Sequence, residues 1–160
     1  MQIERRQTQI RVEPADDAAG GLVMRGIAVP YGELSRTLRD RPRPYRERFE
    51  PGSVSTSPDT VLIYGHDLSN VPLARVGADT LRFDESPAGL AFEARIAPGA
   101  VATALERGDL DGSVSVGFIL DRDTWQNRTN PAVRTVHAAT LVELSVVMAG
   151  AYESAKGTVA

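Results

Sequence analysis

Short runs of apolar residues, most of them bounded by glycine or proline turns, follow one another along the chain. They show the two-residue alternation or the brief continuous apolar run typical of β-strands. The predicted strands cover residues 7–12, 21–29, 60–64, 79–83, 89–96, 113–120, 133–139 and 140–148, the last two being also consistent with one bent strand. Residues 100–107 form the one convincing helix, with Gly108 as its stop.

Two longer polar segments interrupt this pattern. Residues 37–48 are rich in arginine and proline, which indicates a mobile surface loop or a partner-binding segment, and residues 121–131 are predicted to be a polar loop. The elements predict a mainly β protein with a few helices, folded as a closed or nearly closed β-barrel of about seven or eight short strands. We expect one domain over residues 1–150 and a flexible tail over 151–160.

Composition narrows the chemistry. The 160 residues include no cysteine, which excludes disulfides and thiol catalysis, and the only lysine is Lys156, which nearly excludes a serine–lysine dyad. A net charge of −3 argues against nucleic acid as a partner. The polar start is unlike a signal peptide, and no apolar run approaches the ~18 residues that span a bilayer. We therefore expect a cytoplasmic protein without membrane contact.

No cofactor and no metal is expected. Two histidines, no cysteine and no H-E-x-x-H pattern leave too few of the usual metal ligands. The phosphate-binding G-x-x-x-x-G-K-[ST] pattern is absent, so nucleotide hydrolysis has no support. An oligonucleotide-binding barrel would interleave aromatics with cations on its strands, and the nine aromatic residues do not cluster in that way.

Polar residues stand at three positions where the strand pattern favours apolar ones, and a buried polar group needs a partner. His66, one of only two histidines, follows an apolar strand, and a structural role at the strand end is the alternative. Ser115 shares a strand face with Ser113 and Gly117. Small residues on that face suit a nucleophile, because a substrate must come within about 3 Å of the hydroxyl. Close packing against a neighbouring strand is the other explanation.

Glu143 is the only charged residue in the apolar segment 141–148, so it needs an arginine, a histidine or backbone donors unless it faces water on an edge strand. Serine, histidine and a carboxylate together supply the parts of acyl-transfer catalysis. His137 and Asp67 are alternatives for the third part. On one continuous strand His137 would share a face with Glu143, whereas Asp67 is adjacent to His66 and would have to fold back.

These positions fall within segments that resemble the prohead maturation proteases of tailed phages, a serine peptidase family related in fold to herpesvirus assemblin. Six segments carry the resemblance, in order: 26–31 (GIAVPY), 48–53 (RFEPGS), 62–67 (LIYGHD) with 71–74 (VPLA), 88–90 (AGL), 112–118 (GSVSVGF) and 141–147 (LVELSVV). Ala74 stands where the family usually has glycine. No arginine pair like that of the assemblins follows His137 or Glu143, so the sequence does not identify the oxyanion donors.

The resemblance implies a single assemblin-like protease domain in which His66 is the general base, Ser115 the nucleophile and Glu143 the third member. It also implies an endopeptidase that cleaves the scaffold, or the N-terminal scaffolding segment of the major capsid protein, and often itself, with self-association as a further expectation. Such an enzyme works in the bacterial host cytoplasm, packaged inside the prohead of a phage or gene transfer agent. A non-catalytic scaffolding or structural protein of the same particle is the alternative.

Overall fold

The computed structural model describes residues 2–8, 10–14 and 20–148. Eleven strands lie in these ranges: β1 (Ile3–Thr8), β2 (Ile10–Pro14), β3 (Leu22–Pro30), β4 (Tyr45–Phe49), β5 (Val54–Ser55), β6 (Val61–Tyr64), β7 (Ala74–Arg75), β8 (Leu81–Ser86), β9 (Gly89–Ile96), β10 (Val114–Gln126) and β11 (Ala132–Val146). One α-helix is found in the described residues, α1 (Ala100–Arg107), besides a 3-10 turn over Val76–Ala78. The prediction of a mainly β protein is confirmed.

The strands form two sheets. The first has the order β1-β10-β11-β6-β7, with β4 and β5 also paired to β11, and the second has the order β2-β3-β9-β8. β11 pairs parallel to β4, β5 and β6 and antiparallel to β10, so it is the axis of the first sheet. Over the described residues neither sheet closes on itself, so the predicted barrel is not confirmed.

One hydrophobic core lies between the sheets. Alternate residues of β10 (Val114, Val116 and Phe118) enter a cluster that also contains Met24 of β3 and Phe92 of β9. Helix α1 adds Ala102 and Leu105, and it ends as predicted at Gly108, which has a left-handed φ of 79°. Because successive strand residues point to opposite faces, the residues between those of the core set lie on the other face of the first sheet.

Three predicted elements are wrong. The strand predicted over 7–12 is two strands, β1 and β2, which belong to different sheets. The predicted loop 121–131 is strand up to Gln126, because this polar end of β10 continues to pair with β11 beyond the core. The predicted loop 37–48 ends in strand β4. The predicted tail, residues 151–160, lies outside the described residues.

A buried group of charges fixes β1 to the rest of the first sheet. Arg134 on β11 is fully buried and donates to Glu47 of β4 and to Glu4 of β1. Arg6 of β1 donates from its Nε to Glu47 at 2.7 Å. Ion pairs of this kind are costly to break, because one partner then stays buried without its counter-charge. The cluster therefore holds β1 in place, and β1 borders the strand that carries Ser115.

Candidate active site

Ser115 lies near the start of β10, between β1 and β11. Its Cα is paired with that of Ser145 on β11, and the next residue on the same face, Gly117, is paired with Glu143. Residues directly opposite each other in an antiparallel pair have Cβ atoms about 4.5–5.5 Å apart on a shared face. Ser115 is 3% exposed, and both Glu143 and Ser145 are fully buried. The sheet register thus collects two hydroxyls and a carboxylate in a space withdrawn from solvent.

Gly117 makes room for the Glu143 side chain. A Cβ placed on Gly117 would lie 2.6 Å from Oε1 of Glu143 and 2.8 Å from its Cγ, closer than real side chains approach. Our sequence interpretation left the small residues of this face open to an approaching substrate. At Gly117 that interpretation is wrong, because the space belongs to the carboxylate.

His66 reaches the carboxylate through two consecutive left-handed residues after β6. Gly65 has φ 66° and donates its N–H to the carbonyl of Val146, and His66 has φ 62°. A left-handed conformation costs a residue with a Cβ about 1–3 kcal/mol, and such strain is concentrated at functional sites. Here the turn carries the imidazole back over the sheet, so that Nδ1 lies 2.7 Å from Oε1 of Glu143.

Ser145 ties the histidine turn to the carboxylate. Its hydroxyl accepts the backbone N–H of His66 at 3.1 Å and donates to Oε2 of Glu143. Each Glu143 oxygen therefore has a donor, with Arg5 Nε of β1 adding a longer contact of 3.4 Å to Oε1. This arrangement leaves the carboxylate little freedom to turn.

These donors decide the ionisation of Glu143. Burial alone would raise the pKa of Glu143, but the hydrogen bonds from His66 and Ser145, with the charges of His66 and Arg5, outweigh it and lower the pKa below its usual range. The ionised carboxylate can only accept, so in the neutral imidazole the proton lies on His66 Nδ1 and Nε2 has the acceptor lone pair. That is the tautomer a base needs in order to remove a serine proton.

The alternatives to Glu143 lie in other surroundings. His137 contacts Thr124 Oγ1 through Nε2 and Glu50 Oε2 through Nδ1, both at 2.8 Å. Between Glu143 and Val136 the pairing with β10 passes over two residues of β11, Val142 and His137 itself, so simple alternation does not decide which face His137 shares. Asp67 is exposed and accepts from Ser69 and Asn70 of its own loop.

Sequence reasoning missed Ser145 and Arg5 as parts of the site. The sequence could have indicated Ser145, because it stands two residues after Glu143 and so lies on the same strand face. The sequence could not have indicated Arg5, because only the pairing of β1 with β10 brings Arg5 beside Gly117.

Metal-binding clusters and membrane-spanning helices were both sought in the described ranges. Within residues 2–8, 10–14 and 20–148, no group of three or more histidine or acidic side chains is arranged to hold a metal ion. Over the same part of the chain, no helix is long and apolar enough to cross a membrane.

Comparison with known proteins identifies a family. The sequence model of a family described as caudovirus prohead serine protease matches residues 8–160, nearly the whole chain. This confirms the phage resemblance found in the sequence. No curated protein and no solved structure is significantly similar to the chain.

Proposed function

Because the chain belongs to the caudovirus prohead serine protease family, we propose that it is an active serine endopeptidase with Ser115 as nucleophile, His66 as general base and Glu143 as the residue that orients the base. The single observation that carries the proposal is the 2.7 Å contact between His66 Nδ1 and Glu143 Oε1, beside the strand face of Ser115. The proposed protease domain covers residues 1–150.

The chemistry follows from the proton positions. His66 Nε2 takes the proton of Ser115 as the hydroxyl oxygen bonds to the scissile carbonyl carbon, and the carbonyl electrons move onto its oxygen. When the carbonyl re-forms, the C–N bond breaks and the imidazolium gives its proton to the leaving amine. Water then repeats the sequence and releases the acyl group from Ser115. Ionised Glu143 stabilises the imidazolium in both halves.

The proposed substrates are the scaffold or the N-terminal scaffolding segment of the major capsid protein, and the protease itself. The description of the family as prohead proteases supports this proposal, in which the protease is packaged inside the particle of a phage or a gene transfer agent and cleaves there after assembly. We further propose self-association, because crowding in a prohead raises the local concentration of every component.

A fluorophosphonate probe and co-expression test the proposal together. The probe should label the wild-type chain at Ser115, and co-expression with the major capsid protein of its own particle should shorten that protein. Ser115→Ala should abolish both effects without unfolding the chain, whereas the matched Ser113→Ala variant should keep both. If the probe labels neither the wild-type chain nor Ser113→Ala, and the capsid protein stays intact, the non-catalytic scaffolding role is favoured instead. Loss of activity in Ser113→Ala alone would move the nucleophile to that residue.

A further inference from the structure

Positive charge is concentrated in one short segment of a protein that is acidic overall. Residues 36–48 contain six arginines against two acidic residues, Asp40 and Glu47, while the whole chain carries a net charge of −3. A local field of opposite sign to the net charge attracts partners of complementary charge to that part of the surface.

The arginines project from a loop whose base is firmly held. We call residues 36–45 the basic loop. Leu38 and Tyr45 close it by two backbone hydrogen bonds, of 2.7 and 3.1 Å, and both side chains are buried. Pro42 and Pro44 restrict the backbone between them. A loop ordered before binding loses less entropy when a partner binds.

Two charged residues of the basic loop form ion pairs with other parts of the protein. Arg41 forms an ion pair with Glu4 at 3.1 Å and lies 5.6 Å from the centre of the Trp125 ring. Asp40 pairs inward with Arg6 at 3.3 Å, so its negative charge offsets a cation outside the basic loop.

Three arginines are left over. Arg36, Arg39 and Arg43 are exposed, and none of them forms an ion pair or a side-chain hydrogen bond with any residue that the structure describes. The basic loop therefore presents three uncompensated guanidinium groups, each with donors suited to carboxylates.

A cavity lies between the basic loop and Arg5 of β1. It has a volume of about 200 Å³, and its lining includes Arg36, Leu34 and Leu38 on the loop side and Arg5 on the other. Arg5 is also the residue whose Nε approaches Glu143 at 3.4 Å. A polypeptide bound along the basic loop and this cavity would therefore contact Arg5, the residue beside Glu143.

We propose that the basic loop and this cavity form an exosite that binds an acidic segment of the substrate polypeptide. The identification of the partner as substrate rests on the proposed function. Nucleic acid suits the surface less well, because the net charge of −3 repels a long phosphate backbone beyond the loop and the nearby Trp125 ring already has Arg41 against it.

Binding to full-length Ser115→Ala protein, which cannot cleave the probe, tests the exosite. The probes are a fluorescein-labelled peptide of alternating glutamate and glycine, its glutamine counterpart and labelled single-stranded DNA, followed by fluorescence anisotropy. We expect the glutamate peptide to bind more tightly than the glutamine peptide. Arg36→Gln/Arg39→Gln/Arg43→Gln should weaken it about tenfold, with less effect at high salt.

The matched control removes the same charge elsewhere. Arg82→Gln/Arg95→Gln/Arg107→Gln changes three exposed arginines of β8, β9 and α1 and should alter affinity by no more than about twofold. Equal binding of both peptides, or an equal loss in the control, overturns the exosite. Tighter binding of DNA than of the glutamate peptide assigns the loop to nucleic acid and also overturns it.

Cleavage and labelling separate this proposal from the proposed function. In the active chain the basic-loop variant should raise KM for a substrate carrying an acidic segment and leave kcat and fluorophosphonate labelling unchanged. If the probe does not label the wild-type chain, the proposed protease activity is refuted. The anisotropy measurements would still test whether the basic loop binds an acidic segment.

Discussion

The Glu143 carboxylate lies over Gly117, in space that a side chain at Gly117 would occupy. The two residues are directly paired across β10 and β11, and Gly117 stands two positions after Ser115 on the same face. The carboxylate therefore lies against the strand that carries Ser115, and its Oε1 is 2.7 Å from His66 Nδ1. Its position depends on a missing Cβ as much as on its own hydrogen bonds.

Gly117→Ala should lower kcat/KM for capsid-protein cleavage about a hundredfold. The new Cβ would lie 2.6 Å from Oε1 and push the carboxylate, and with it the imidazole, out of place. Gly99→Ala is the matched control, because a Cβ there meets no atom within 4 Å. Full activity of a folded Gly117→Ala variant, checked by circular dichroism, would mean that the position of Glu143 is unimportant.

Glu143→Gln should reduce cleavage by about 10⁴, the usual effect of removing the carboxylate that orients a catalytic histidine. His137→Ala should change the rate little, since His137 is bonded to Thr124 and Glu50. Steady-state kinetics on both variants gives the ranking. The reverse order would assign the third role to His137 and make the chemistry assemblin-like.

His66→Ala and Ser115→Ala should be equally damaging, and the double variant should be no worse than either. The members of one catalytic unit lose their effect together, so their contributions do not add. Single-turnover cleavage rates for the three variants test this. Losses that multiply in the double variant would show that the two residues act independently.

Arg134→Met should lower the free energy of unfolding by about 3–5 kcal/mol, because Glu47 stays buried with one of its two cations removed. Urea denaturation measures the change. Arg107→Met, which breaks an exposed pair with Asp109, should leave the midpoint nearly unchanged. If Glu47→Gln/Arg134→Met is no more stable than Arg134→Met, the buried charge is not the cause.

The stability that Glu143 contributes should be lost in acid. Its pKa in the folded protein lies below that of the unfolded chain, about 4.3, so the folded state favours the ionised form. The contribution is complete above the unfolded pKa and disappears as the pH falls through the folded pKa. The difference in unfolding free energy between wild type and Glu143→Gln should therefore be constant near neutrality and shrink below about pH 4. Urea titrations across this range would contradict us by showing a constant difference.

Much of the local structure followed from the sequence. The strand Gly89–Ile96 and the helix Ala100–Arg107, with its stop at Gly108, have the predicted bounds, because alternation and helix-stop residues act over a few positions. The polar residues Ser115, His66 and Glu143 stood out for the same local reason. The contact between His66 and Glu143 agrees with that selection, and the roles of the three remain predictions.

Contacts between distant strands were decided only by the tertiary structure. Nothing near Arg5 in the chain indicates Glu143, because β1 reaches its partner β10 across more than a hundred residues. The irregularities at Val142 and at His137 interrupt the alternation on which the placement of His137 depended. The sequence alone determined which residues are chemically able to form a site. Strand order, register and bulges determined which of them meet. These features arise from pairing between two segments, so they cannot be inferred from the sequence of either segment alone.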